Sequence, residues 1–396
     1  MTTKEIDISE LKPGMFVDRL GGSAVSLPQS FQNFRIRNEK DVTRLKRANV
    51  TKVVIDLDKS EKAEEAVAIE KLTKGVSKDL KKEIKAAKNL QNNAKETINK
   101  AMESVLQDQP VEAKVLTPVV NQTYESLVRN DQALLTLMHM KRHGSVLLSH
   151  AFSVLSLVTA VANRLEYEYE KIEMLGMAAM MYDVGWVRLP ANLVSKDKSF
   201  TDKEEQLVSK HPAFGVEILK KSKELPEEVI QIISEHHEYL DGSGYPNRLT
   251  GDYISDMGRL LTVVDMYDML VHGIMGNQGR TPNTALKNLY KASKEGKIDG
   301  AIIPPLVHVL GVYPITSAVV FESGEKGVVI EMNRKSPILP TVKVCYDSVG
   351  NPLSDPRIVN LAEESESGSG RMVIEKIIDP AISGVDPLNL LKIDDR

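Results

Sequence analysis

The chain has 396 residues, of which 42% are hydrophobic and 27% charged, with a formal net charge of −4. That length allows a large buried core and two or three domains, and the apolar content excludes a disordered class. The slight acidity gives no case for general nucleic-acid binding. The single cysteine, Cys345, excludes an intrachain disulfide and suits a reducing compartment. The N-terminus has no apolar signal core, and no stretch approaches the roughly 20 apolar residues of a membrane span. A soluble, cytoplasmic protein with no membrane partner is expected.

Residues 1–58 read as a small α/β unit. Ile6, Ile8 and Leu11 precede a Pro13-Gly14 turn and Met15-Phe16-Val17. Helical spacing through Val42 and Leu45 marks 38–48, and a β-branched run marks a strand from Lys52 to Leu57. Residues 59–108 are rich in Lys, Glu, Asn and Ala and read as a helical linker. Along it Leu80, Ile84, Ala87, Ala94, Ile98, Ala101 and Val105 recur at three- and four-residue steps, with Gln91 in the one gap. Such a heptad-like stripe has two readings: packing on its own chain, or a homodimer through the 78–106 helix.

Residues 109–311 pattern as an all-helical domain. Helices are predicted over 122–140, 144–165, 169–182, 202–211, 213–220, 226–237, 256–270 and 282–294. Thr201 and Glu204 form a capping box that opens one of them. Residues 312–396 turn to valine-rich β patterning, with strands predicted at 317–321, 327–331 and 341–346. The fold class is therefore mainly α, with a small α/β domain before the helical core and a β-rich extension after it.

The chemistry concentrates at residues 234–246, Ser-Glu-His-His-Glu-Tyr-Leu-Asp-Gly-Ser-Gly-Tyr-Pro. His236 and His237 close an apolar helix, and a glycine-rich turn follows at once. Adjacent helical side chains point about 100° apart. The pair therefore cannot easily chelate one ion, but it can serve two neighbouring ions, or one ion and a substrate. Other buried-looking polar residues lie along the same domain. His150 sits within an apolar helix, Asp183 ends another, and His211 precedes Pro212. Asp265 interrupts the run Leu260–Val264, with Asp268 one turn on. A carboxylate in so apolar a segment is costly unless it is paired or bound to a metal. Imidazoles with carboxylates suit iron, manganese or zinc. His139, His143, His272 and His308 read as ordinary.

The 236–246 string, His-His-Glu-x-x-Asp-Gly-x-Gly-Tyr-Pro, resembles the signature of the HD-GYP family at every fixed position. His211-Pro212-Ala213-Phe214-Gly215 resembles the family's His-Pro-x-x-Gly. Residues 1–58 look like the small domain of unknown function that often precedes such domains. The resemblance implies an HD-type metal-dependent phosphohydrolase core that opens cyclic di-GMP. It implies one or two divalent transition-metal ions, iron or manganese first. It makes Asp183 the catalytic bridging ligand, with His150 and Asp265 on one ion and His211, His236 and His237 on the other. It places Gly244, Tyr245 and Asp268 at the substrate, and Arg280 is the cation expected to join them by a different geometry.

Three positions depart from the family pattern. The family's His-Asp-x-Gly-Lys reads Tyr182-Asp183-Val184-Gly185-Trp186 here, which loses a histidine ligand and a lysine. Its Arg-Pro-Tyr-Lys/Arg element is replaced by Ile274-Met275-Gly276-Asn277, with Arg280 the nearest cation. A third-metal glutamate of some relatives falls at Val146. Two functions follow as expectations. One is a degenerate, metal-binding protein of cyclic di-GMP signalling with weak or altered phosphodiesterase activity. The other is a non-catalytic nucleotide receptor or protein-interaction scaffold.

Overall fold

A computed structural model describes residues 3–12, 15–21, 34–36, 42–43, 45–46, 50–56, 78–138, 145–194, 196, 198–222, 225–313, 315, 317–333, 335–336, 338–367 and 372–378. His139 and His143 lie outside the described residues. The chain divides into two compact units, 1–74 and 75–394. In the first, β1 (Thr3–Asp7), β2 (Phe16–Gly21), β3 (Phe34–Arg35) and β4 (Lys52–Asp56) form a sheet in the order β1-β4-β2-β3. All its pairings are antiparallel. Ile6, Val17, Val53 and Ile55 meet Leu11, Ile36, Val42 and Leu45 in its core. Of the helix expected at 38–48, the described residues show helix at 42–43 and 45–46.

The second unit begins with the helix Lys78–Leu106. Ile84, Ala87, Gln91, Ala94, Ile98 and Ala101 on its stripe are buried. They face the Ala113–Met138 helix and, beyond it, Val146–Arg164. The stripe is therefore used within the chain, the first of its two readings, and the face a homodimer would need there is already covered. Ala113–Met138 begins well before the predicted 122 because Pro118 lies inside it, where sequence rules place a break. Asn130, at φ −162° and ψ 98°, interrupts its geometry and shifts the apolar face.

Val146–Arg164, capped by Ser145, is the central helix. It has 19 residues and a mean hydropathy of 1.7, long and apolar enough to cross a membrane by length and composition. This corrects the expectation that no stretch comes near that limit. Its apolarity has a local cause: 78% of the window is buried within the protein. Tyr169–Met181 and Asp256–His272 flank it. The capping box at Thr201 and Glu204 forms as expected, at the head of Asp202–Val208. A further helix, Ile303–Leu310, leads to the C-terminal strands. There β5 (Ala318–Phe321), β6 (Lys326–Glu331), β7 (Thr341–Tyr346), β8 (Pro352–Asn360) and β9 (Ile374–Ile377) form a sheet ordered β8-β7-β6-β5-β9.

Candidate metal centre

Two glycines set the geometry. Asp183 follows the Tyr169–Met181 helix and caps the short 3-10 turn Val184–Arg188, with φ −92° and ψ 7°. That turn crosses the His211–Leu219 helix so closely that a Cβ on Gly185 would lie 1.9 Å from His211 O and 2.7 Å from Gly215 N. Only a bare Cα permits this approach. It brings Asp183 Oδ1 within 3.3 Å of His211 Nε2. A glycine after the aspartate and another in the His-Pro-x-x-Gly stretch are the sequence record of this crossing.

The paired histidines end the Glu227–Glu235 helix, with His236 as its C-cap. Glu238 is buried, and its two carboxylate oxygens accept hydrogen bonds from Asn247 N (2.6 Å) and Leu249 N (2.9 Å). The third residue of the His-His-Glu string thus clamps the loop that follows. At Gly244 a Cβ would stand 2.4 Å from Tyr239 N and 2.5 Å from His237 O. Gly244 is therefore a close-packing position of the loop. Tyr245 N donates to His237 O, and its ring lies 4.8 Å from that of His237.

His211, His236 and His237 offer ligand atoms that all lie within 4.8 Å of one another, and all three residues are buried. His211 Nδ1 faces Val208 O at 2.7 Å, and His236 Nδ1 faces Ile233 O at 2.6 Å. A carbonyl only accepts, so both Nδ1 atoms carry a proton, and both Nε2 atoms point into the site. Those Nε2 atoms stand 3.0 Å apart. Two ring nitrogens at that distance need a proton or a cation between them. Burial, with His211 alongside, pushes the His236 pKa down to about 3. Burial and then His236 push that of His237 well below its usual value. Asp183 Oδ2 and Asp265 Oδ2 are buried without a hydrogen-bond partner. Asp265 Oδ2 lies 3.9 Å from His237 Nδ1. Imidazoles anchored through Nδ1 on carbonyls, beside orphaned carboxylate oxygens, fit a divalent transition-metal ion.

The other half of the site is closed by hydrogen bonds. His150 Nδ1 lies 2.6 Å from Asp268 Oδ2, and its Nε2 lies 2.9 Å from Asp265 Oδ1. Burial opposes charge on His150. Hydrogen bonds to Asp265 and Asp268, and their charges, outweigh it and hold its pKa up at about 10. Tyr182 Oη donates to the same Asp265 Oδ1 at 2.9 Å. Burial, reinforced by Asp265, keeps this phenol protonated by raising its pKa well above the usual value. Asp183 lies below the usual carboxylate range. Burial alone would raise it, but His211, His150 and His236 outweigh burial. Asp265 is shifted up by burial and by Asp183. Both His150 nitrogens are thus engaged by carboxylates.

Asp268 is also sequestered. It is fully buried behind His150, with His272 Nδ1 3.2 Å from its Oδ1. His272, read as ordinary, thus supports the site from behind, and its Nε2 lies 3.0 Å from Met138 O. Arg280 is exposed, and its backbone N–H donates to Leu270 O.

A cavity of about 370 Å³ opens beside His237 and Tyr245. Trp186, Phe200, Tyr239, Met266, Met269 and Met275 supply most of its apolar wall, and Glu205, Ser199 and Asn277 its polar groups. No Lys or Arg stands among the described residues that line it. Lys297 Nζ sits 4.1 Å from the Tyr239 ring centroid but is not in the lining. Asp268, Gly244 and Arg280 do not line it either; of the four substrate assignments only Tyr245 does.

The departures from the family pattern meet in space. Trp186, Ile274 and Met275 pack with Leu189, Leu193 and Val208 in one apolar cluster, and Val146 joins its edge. Trp186 also donates from Nε1 to Asp183 Oδ1 at 3.0 Å, and its ring lies 5.1 Å from that of His211. Sequence spacing scattered these changes over more than 120 positions and could not show that they form a single wall.

Residues 114–302 match the HD domain family. Residues 3–115 match a domain of unknown function (DUF3391), and 318–381 a KOW domain associated with HD domain. The chain is 28% identical over 375 residues to the cyclic di-GMP phosphodiesterase PA4108 of Pseudomonas aeruginosa, covering 92% of this chain and 90% of that protein. It is 33% identical over 131 residues to the cyclic di-GMP phosphodiesterase response regulator RpfG of Xanthomonas campestris, 33% of this chain and 35% of that protein. A 3'3'-cGAMP-specific phosphodiesterase 2 of Vibrio cholerae is 40% identical over 99 residues, 25% of this chain and 19% of that protein. Among solved structures, Bd1817, an HDG"Y"P protein from Bdellovibrio bacteriovorus, shares the fold. Its TM-score is 0.52 at 20% identity, over 78% of this chain and 99% of that one.

Proposed function

The chain belongs to the HD-GYP family of HD-domain proteins, and from that premise we propose that it acts in cyclic di-GMP signalling. Its site binds one divalent ion and the dinucleotide, and cleaves it slowly or not at all. The observation that carries this reading is the Tyr182 hydroxyl on Asp265 Oδ1, beside a His150 held by two carboxylates. Those contacts use the donors a second ion would need. Asp183, His211, His236 and His237, with Asp265 Oδ2 at their edge, are the residues that would hold the remaining ion. Their nitrogen and oxygen donors suit iron or manganese. When bound, such an ion supplies Lewis acidity toward a phosphate oxygen and toward water.

The protein's own contribution to turnover is reduced. Removing one preorganised electrostatic contact typically costs about 10²–10³ in rate. The cavity wall offers Trp186 and Met275, with Ile274 packed in the apolar cluster they share, where the family pattern has cations. Losses of this kind are not additive, yet two or three leave little turnover. A non-catalytic receptor is the limit of the same reading, and the cation-free lining favours it.

The test combines metal analysis with cyclic di-GMP turnover in added manganese or iron. About one ion per chain and very slow hydrolysis are expected. Tyr182→His with Trp186→Lys should raise both the ion count and the rate. Robust wild-type turnover that Asp183→Ala abolishes would overturn the reading.

A further inference from the structure

Glu205 lines the cavity that opens beside His237 and Tyr245, yet its side-chain carboxylate joins no hydrogen bond or ion pair among the described residues; only its backbone does. It lies on the exposed side of the Asp202–Val208 helix, whose capping box instead uses Glu204. A free carboxylate at a mouth without lysine or arginine repels phosphate and attracts N–H donors. Asn277 leans the same way. Asn277 directs its amide nitrogen to Ile274 O (3.2 Å) and Met275 O (3.3 Å), so the atom it retains for a ligand is Oδ1, an acceptor. Around these acceptors the wall is flat or pliable: Phe200, Tyr239, Tyr245 and the methionines 266, 269 and 275. Aromatic rings seat a nucleobase by stacking, and methionine adapts to its outline.

We infer that this cavity is a nucleobase seat in which Glu205 reads guanine. An ionised carboxylate only accepts, through two oxygens side by side. The pairing edge of guanine presents two adjacent N–H donors, N1–H and the N2 amino group, and matches it twice. Adenine presents one donor beside a bare ring nitrogen, whose lone pair would face an oxygen. The inference rests on the nucleotide reading above and adds the residue that selects the base. It also gives the cation-poor wall a use: the wall meets the base, and the phosphate is left to the metal end of the site.

The experiment titrates the full chain, with manganese added, against cyclic di-GMP and cyclic di-AMP by calorimetry. Wild type is expected to prefer cyclic di-GMP. A bidentate base contact contributes about 1–3 kcal/mol of discrimination, roughly a 5- to 150-fold ratio. Glu205→Gln should weaken cyclic di-GMP by a similar factor and strengthen cyclic di-AMP, because an amide offers the donor and acceptor that adenine matches. Glu205 is exposed, so a thermal melt of the variant should superimpose on wild type. If both dinucleotides bind and their ratio is the same in wild type and Glu205→Gln, the guanine assignment fails and the nucleotide reading stands. If neither dinucleotide binds wild type, the nucleotide reading fails and the assignment with it.

Discussion

The two halves of the buried centre hold similar residues in opposite states. On one side His211, His236 and His237 anchor themselves on backbone carbonyls or lie unpaired, and present bare nitrogens to one another. On the other, both nitrogens of His150 meet carboxylates, and Tyr182 adds a second hydrogen bond to Asp265. A histidine facing acceptors gains a proton and becomes an ion-pair partner. His236 and His237, buried among other histidines, are pushed toward the neutral form that can serve as a ligand. Residue type alone therefore does not decide which histidines can hold an ion; what each outer nitrogen touches does.

The largest expected effect separates the halves directly. His211→Ala or His236→Ala should abolish binding of manganese or iron, because outer partners alone are typically worth 10–100-fold and these are the ligands themselves. His150→Ala should leave metal content near wild type. It should instead lower stability by about 3–5 kcal/mol, the usual cost of leaving a buried charge without its partner. Metal content measured after dialysis, with urea melts of the same samples, reads both. Equal metal loss in all three variants would erase the distinction.

A second effect is expected in the pH dependence of the ion-free protein. His150 titrates near 6.5 when unfolded and at about 10 when folded. A raised folded pKa means its stabilising contribution is complete below pH about 6.5 and is lost as pH rises through about 10. The shift corresponds to a few kcal/mol. The stability difference between wild type and His150→Gln should therefore shrink between pH 6.5 and 10. A difference that stays constant across that window would mean His150 is not the charged partner of Asp265 and Asp268.

The smallest effect sharpens the closed half. Tyr182→Phe removes only the hydroxyl on Asp265 and should cost about 1.5–3 kcal/mol, the range for a hydrogen bond to a charged group. Metal content should stay at wild-type level. A rise toward two ions per chain would show that the phenol alone excludes the second ion.

Local signals in the sequence carried far. The capping box at Thr201, the histidines at the end of their helix and the valine-rich strands all arise from neighbouring residues, and all appear where spacing puts them. The long helix from Ala113 did not, because Pro118 and the irregular Asn130 hide its period. In the site, the residues that converge were legible as types: His150, Asp183, His211, His236, His237 and Asp265 all lie in one buried group. Their division into two halves was not legible. It depends on Tyr182 reaching Asp265 and Trp186 reaching Asp183, contacts made across the fold by residues that read from the sequence only as losses. The surroundings of Gly244 and Arg280 were not legible either: one packs against backbone and the other faces solvent.

Trp186 is the chain's single tryptophan, and its indole N–H rests on Asp183. All indole fluorescence of the protein therefore originates at one carboxylate of the proposed centre. Loading of the site, displacement of an ion by a chelator and arrival of a ligand in the adjoining cavity each become optical events, open to stopped-flow recording on unlabelled protein.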